Sequence, residues 1–247
     1  MSTQRLLYLF FCVILIAFSP EISHSADWTD DFERERLDSK FWQTTRSGDF
    51  KESKIDIVAP DPKSGPDRRL RLRADTLQTD DRTVKFLGVR SMREVPLKTG
   101  AEVSFDLDWN NQSNGSYLSA AFYLCPTITS KNPENEPDWI RIEYIGVPPG
   151  QNTRPAISVK SKGLVRWLYL EGWPETNKTG RRIGRVRLDI EIRTDSLVLR
   201  EAGREIFRGT LSEVGFDRAR IYLQMSSHSN YPAREIYFDN IRVRSMR

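Results

Sequence analysis

Residues 102–110 read EVSFDLDWN. Val103, Phe105, Leu107 and Trp109 fall on one side of an extended chain, and Glu102, Ser104, Asp106 and Asp108 on the other. Strict alternation of this kind marks a strand with one face packed and one face wet. Residues 185–193, RVRLDIEIR, repeat it, with Val186, Leu188, Ile190 and Ile192 opposite Arg187, Asp189, Glu191 and Arg193. In DRRLRLR, 67–73, Leu70 and Leu72 alternate with Arg69, Arg71 and Arg73. Outward from these, TVKFLGV, YLSAAFYL, DWIRIEYIGV, AISVK, VRWLYL, RIYLQM and EIYFDNIRV read as further strands, and SLVLREAGREIF folds back at Ala202-Gly203. Turn clusters such as APDPKSGPD, NNQSNGS and SKNPENEPD separate them, and no window carries the period of an amphipathic helix. The pattern predicts an all-β chain, a two-sheet antiparallel β-sandwich of jelly-roll type.

At the amino end Arg5 precedes the apolar run LLYLFFCVILIAF, which closes at Ser19-Pro20 and the small residues of SHSA. This is the pattern of a secretory signal peptide over residues 1–25, cleaved near Ser25/Ala26. It predicts a secreted or periplasmic protein with one domain over residues 26–247 and no membrane attachment after cleavage. Of two histidines and two cysteines, His24 and Cys12 leave with the leader. One imidazole, His228, and one thiol, Cys125, then remain, too few for a zinc centre or an internal disulfide. Cys125, in FYLCPT, reads as a small buried apolar residue. The formal net charge of +4 is spread over 38 basic and 34 acidic side chains. No concentrated basic stripe with interleaved aromatics marks a nucleic-acid surface.

DWTDDFERERLDSKFWQ at the start and REIYFDNIRVRS at the close resemble the first and last strands of the concanavalin A-like lectin/glucanase superfamily, including its LamG-like and sugar-hydrolase-like secreted jelly rolls. The resemblance implies that the two terminal strands lie side by side and that the concave face of one sheet holds an extracellular carbohydrate. It does not choose between binding module, hydrolase and lyase, since one sandwich hosts all three. Laminarinase-like hydrolases of this type carry E-x-D-x-x-E or E-x-D-x-E, which aims two carboxylates at a glycosidic bond from one strand face. Neither spacing occurs here. The nearest candidate, DWIRIEYIG, offers Glu143 with Asp138, and these have opposite parity. Alginate-lyase-like jelly rolls use Arg, Gln, His and Tyr instead. RSMRE, 90–94, resembles their R-S-E-L-R segment with Met92 in place of Glu, and their Q-I-H is absent. In a lyase, His228 and Tyr231 are the acid/base candidates and Arg141 the carboxylate clamp.

Between two strands lies YLQMSSHSNYPAREIYFDN, 222–240. Parity places Ile221, Leu223 and Met225 in the interior and Tyr222, Gln224, Ser226 and His228 on the opposite, wetter face. Amide, hydroxyl, imidazole and aromatic groups together suit sugar recognition, with Asn230 and Tyr231 closing one end of a groove. Trp139, Arg141 and Glu143 alternate together and form a second row of ligand contacts. The bland alternative is a loop whose polar groups satisfy their own backbone, in a structural or interaction module that needs no groove. A calcium ion is possible where the chain ends meet, on Asp31 and Asp239 with Asp30 beside them. The change of apolar register around Asp239 predicts a β-bulge.

Overall fold

The structure, a computed structural model, describes residues 27–60, 67–80, 83–109, 118–147, 152–171, 184–212, 214–227 and 230–246. The leader, His228 and the turn around Asn114 lie outside the described residues. Strands β1 (Trp28–Asp30), β2 (Trp42–Ser47), β3 (Glu52–Val58), β4 (Arg69–Asp75), β5 (Lys85–Pro96), β6 (Ala101–Asp108), β7 (Leu118–Cys125) and β8 (Trp139–Val147) make up the first half. The second half holds β9 (Asn152–Ser161), β10 (Leu164–Leu170), β11 (Arg185–Ile192), β12 (Ser196–Glu201), β13 (Arg204–Thr210), β14 (Arg218–Ser227) and β15 (Arg234–Ser245). Among the described residues the one helical element is a 3-10 turn, Pro133–Asn135. No described helix is long and apolar enough to cross a membrane.

The strands form two antiparallel sheets. One runs β13-β12-β11-β6-β15-β4-β3, with β1 as an eighth strand on β15, and the other runs β10-β9-β8-β7-β14-β5-β2. The terminal strands pair, Trp28 opposite Val243 and Asp30 opposite Ile241. β4 pairs with β15 as far as Phe238. Beyond that point the register against β6 shifts between Asp239 and Arg242, and Asn240 takes φ +51°. The expected bulge is therefore present, and it hands one edge of β15 from β4 to β1. β2 and β3, which alternate weakly in sequence, extend the two sheets at the same end. Their weak signal follows from their edge positions, where only part of the inner face is covered.

The core lies between the sheets. Phe105, Leu107, Leu188, Ile190, Leu70 and Leu72 from one sheet meet Phe122, Leu124, Ile140, Ile142, Ile221 and Leu223 from the other. Phe105 stacks on Phe122 across the gap with centroids 5.3 Å apart. Each such side chain, fully buried, contributes about 1.5–3 kcal/mol. The outer face of the eight-stranded sheet is an ion lattice: Arg69 bridges Asp67 and Asp108, Arg71 bridges Asp56 and Glu235, and Arg185 reaches Asp67, Asp106 and Asp239. Arg69, Arg71 and Arg73 of DRRLRLR are thus paired with carboxylates, as a solvated strand face requires.

Candidate functional site

On the outer face of the seven-stranded sheet the strand registers line side chains into rows. Trp167, Ser158, Arg141, Tyr123, Tyr222, Arg90 and Gln43 stand opposite one another across all seven strands. The next row is Ala156, Glu143, Ala121, Gln224, Gly88 and Thr45. Trp139, Arg141, Glu143, Tyr222, Gln224 and Ser226 therefore share one face, as their alternation requires, while Ile221, Leu223 and Met225 enter the core.

That face is not the open trough expected for it. Tyr222 and Gln224 are 0% exposed and Ser226 4%. Over Tyr222 the cover is the β7–β8 connection, residues 126–138, which crosses the sheet and is tied down along its length. Tyr222 donates its hydroxyl to the Ser130 carbonyl at 3.3 Å, and Arg90 donates to the Ile128 carbonyl at 2.9 Å. Lys160 donates to the Glu134 carbonyl at 2.7 Å. Ile128 packs on a second apolar cluster of Ala121, Tyr123, Cys125, Trp139 and Tyr222. Inside the connection the buried Glu136 carboxylate accepts from Thr127 at 2.6 Å, Thr129 at 3.0 Å and the Ser130 N–H at 2.6 Å. Burial pushes the Cys125 thiol well up, in keeping with an inert, packed cysteine.

Arg141 is the hub where covered and exposed regions meet. It donates to Glu134 at 2.6 Å and to Ser158 at 3.0 Å, and pairs with Glu143 at 3.0 Å. Its guanidinium lies 5.1 Å from the ring centroids of both Trp139 and Trp167, within cation–π range. Burial raises the Glu143 carboxyl, with Arg141 pulling against it and Glu134 adding to the rise. Trp139 is buried, but Trp167, on edge strand β10, is 49% exposed beside Val165 at 51%. An indole held rigid from below and open to water is a surface against which the apolar face of a sugar ring packs.

Other expected site residues lie elsewhere. Tyr231 belongs to the main core, and its backbone pairs with Thr76. Burial pushes its phenol far up, so it holds its proton and serves neither as base nor as groove wall. Asn230 exchanges hydrogen bonds with Thr79 and pins the 76–80 turn. Tyr231 and Arg141 face opposite sides of the sheet, and the guanidinium is already taken by two carboxylates. The lyase constellation is accordingly not assembled by these two residues.

Asp30, Asp31 and Asp239 do not converge either. Asp30 is buried and accepts from the Trp42 indole at 2.8 Å and the Phe32 N–H. Asp31 accepts from the Glu33 N–H. Asp239 lies in the ion lattice, accepting from Arg185 and Asn240. No group of three or more His, Cys, Asp or Glu poised for a metal occurs among the described residues.

Trp167, Tyr123 and Glu134 were not legible as site residues in sequence. VRWLYL reads as a plain strand, and a weak cue was its four large apolar residues without a clean period. SKNPENEPD reads as a turn cluster, with nothing to say that its glutamates fold back over a sheet.

No protein-family model and no curated protein matches the chain. Solved structures do. A prokaryotic β-1,3-1,4-glucanase (lichenase) derived from a mouse hindgut metagenome superposes with a TM-score of 0.61 at 9% identity, covering 89% of this chain and 99% of that one. The catalytic domain of an endo-1,3-β-glucanase (laminarinase) from Thermotoga petrophila gives 0.59 at 14%, covering 87% and 95%. The globular domain of T. cruzi calreticulin gives 0.59 at 14%, covering 89% and 88%. At such identities the likeness concerns the fold, which is that of the concanavalin A-like jelly roll.

Proposed function

We propose that this concanavalin A-like jelly roll binds an extracellular carbohydrate without cleaving it, seating a sugar ring against Trp167 beside Arg141. The observation that carries the reading is the half-exposed Trp167 indole braced on a guanidinium that is itself fixed by Glu134, Glu143 and Ser158. Such a platform is pre-ordered, so little side-chain entropy is lost when a ligand arrives. That solved relatives in fold are named as glucanases adds weight to carbohydrate as the ligand class.

Binding is favoured over hydrolysis by the chemistry of β8. Trp139, Arg141 and Glu143 stand at the i, i+2, i+4 spacing that E-x-D-x-E would occupy, and only the last is acidic. A retaining mechanism needs two carboxylates about 5–5.5 Å apart, one free to attack and one to donate a proton. Here Glu143 is buried against Arg141, and Glu134 is bonded to the same guanidinium.

Neutral, uronate and sulfated glycans, each with and without calcium, are the test panel. Trp167→Ala is expected to weaken binding about tenfold, roughly 1.4 kcal/mol, with unchanged melting temperature and no new reducing or unsaturated ends. Release of such ends by the unaltered protein, or binding indifferent to Trp167, refutes the reading.

A further inference from the structure

We propose a second site, for an anionic group carried on a saccharide, in the mouth of the sandwich between edge strands β2 and β3. A cleft of about 330 Å³ opens there, lined by Thr44, Thr45, Arg46, Ser53, Ile55, Leu87 and Lys131. Its size is at the low end of small-ligand pockets, about 300–1,000 Å³. Arg46 and Lys131 line it with Thr44, Thr45 and Ser53, beside the apolar Ile55 and Leu87, and no carboxylate does.

The two cations differ from those of the ion lattice. Arg69, Arg71, Arg73, Arg141, Arg185 and Arg200 are all paired with carboxylates. Arg46 and Lys131, by contrast, have no ion pair or hydrogen bond from their charged groups among the described residues. Arg46 is nevertheless held in place, its guanidinium 5.1 Å from the Phe50 ring centroid, a contact that orients the charge without neutralising it.

Lys131 is presented by a stiff backbone. The preceding Ser130 donates its N–H to Glu136 and accepts from Tyr222 at its carbonyl, and the Asn132 N–H donates to the Ser130 hydroxyl. Gln224 donates to the buried Thr45 hydroxyl oxygen at 2.7 Å, which fixes β2 beside the cleft. Charge-assisted bonds from a guanidinium and an ammonium with neutral hydroxyl donors match the oxygens of a sulfate ester or a carboxylate. The apolar Ile55 and Leu87 suit the carbons of the ring that bears them.

The carrier being a saccharide rests on the carbohydrate reading above, whereas the anion selectivity does not. A sulfated trisaccharide, a uronate-containing trisaccharide, their uncharged parent and inorganic sulfate are titrated into the labelled protein, following backbone amides and the Trp167 indole signal. The charged ligands are expected to shift Thr44, Arg46, Ser53 and Lys131, and the uncharged parent to leave them in place. Arg46→Gln and Lys131→Gln, both at exposed positions, are each expected to weaken charged-ligand binding about tenfold and flatten its salt dependence.

Shifts at Trp167 alone overturn the cleft and leave the carbohydrate reading standing. Shifts in the cleft with charged sugars and sulfate, but none at Trp167, do the reverse. The stronger of the sulfated and uronate ligands identifies the anion. Equal binding of charged and uncharged ligands, or no response in either place, overturns the cleft.

Discussion

Arg141 pairs with Glu134 and Glu143 at once while lying between the rings of Trp139 and Trp167. Its alternation with Trp139 and Glu143 is legible in DWIRIEYIG, because successive side chains of a strand must point to opposite faces. Its two partners are not legible, since Glu134 arrives from a turn cluster whose path no local rule dictates. A buried pair is costly to break because the survivor is left charged and desolvated. Arg141→Met is therefore expected to lower the unfolding free energy in urea by about 3 kcal/mol. Adding Glu143→Gln should recover most of that loss. A double variant no more stable than the single one would show that the pair does not hold this face together.

The element that decides the character of the outer face is the connection 126–138. It carries no regular structure beyond its 3-10 turn, and its order comes from Glu136, which is 0% exposed and takes three donors. Glu136→Ala leaves two hydroxyls and one N–H without their acceptor, at a cost of about 1–3 kcal/mol for each group that stays buried. The expected result is a loss of about 3 kcal/mol, with accelerated amide exchange over residues 127–132 and little change in the eight-stranded sheet. Uniform loss of protection across both sheets would contradict a local role. In sequence SKNPENEPD was read correctly as a break between strands, but breaks say where a chain leaves a sheet and not whether it returns across it. Similarly, the bulge at Asp239 was legible because the apolar register slips within one strand. The handover from β4 to β1 that the bulge serves was legible only as far as the terminal strands' resemblance implied that they pair.

At the scale of the molecule the two outer faces divide the work. One is a lattice of arginines and carboxylates; the other bears the crossing connection and Trp167, while the cleft opens between the sheets at the β2–β3 end. The lattice makes stability depend on pH in two opposed ways. Asp56, Asp67 and Asp106 lose some solvation to burial, yet their arginine partners hold all three below the ordinary value of 3.8. Their contribution is present above that value and is lost as pH falls through the depressed ones. Burial instead raises Asp239 to about 7, against the Asn240 N–H and Arg185. Between 3.8 and about 7 the folded chain binds the additional proton, so this contribution is full at low pH and is lost as pH rises through 7. Asp239→Asn should flatten the decline in melting temperature between pH 4 and 7 while leaving the acid limb in place. An unchanged slope across that window excludes Asp239 as its source.

The alternation of EVSFDLDWN and its counterparts determined the all-β class, the inward and outward sets of side chains and the half-buried sheets, because a period of two is a local property of the chain. Whether an outward face meets water is a different kind of fact. Tyr222 is capped by the Ser130 carbonyl, 92 residues away, and Trp167 stays open because β10 ends its sheet. Tertiary structure alone settled both, since the burial of a face depends on which distant segments pack over it.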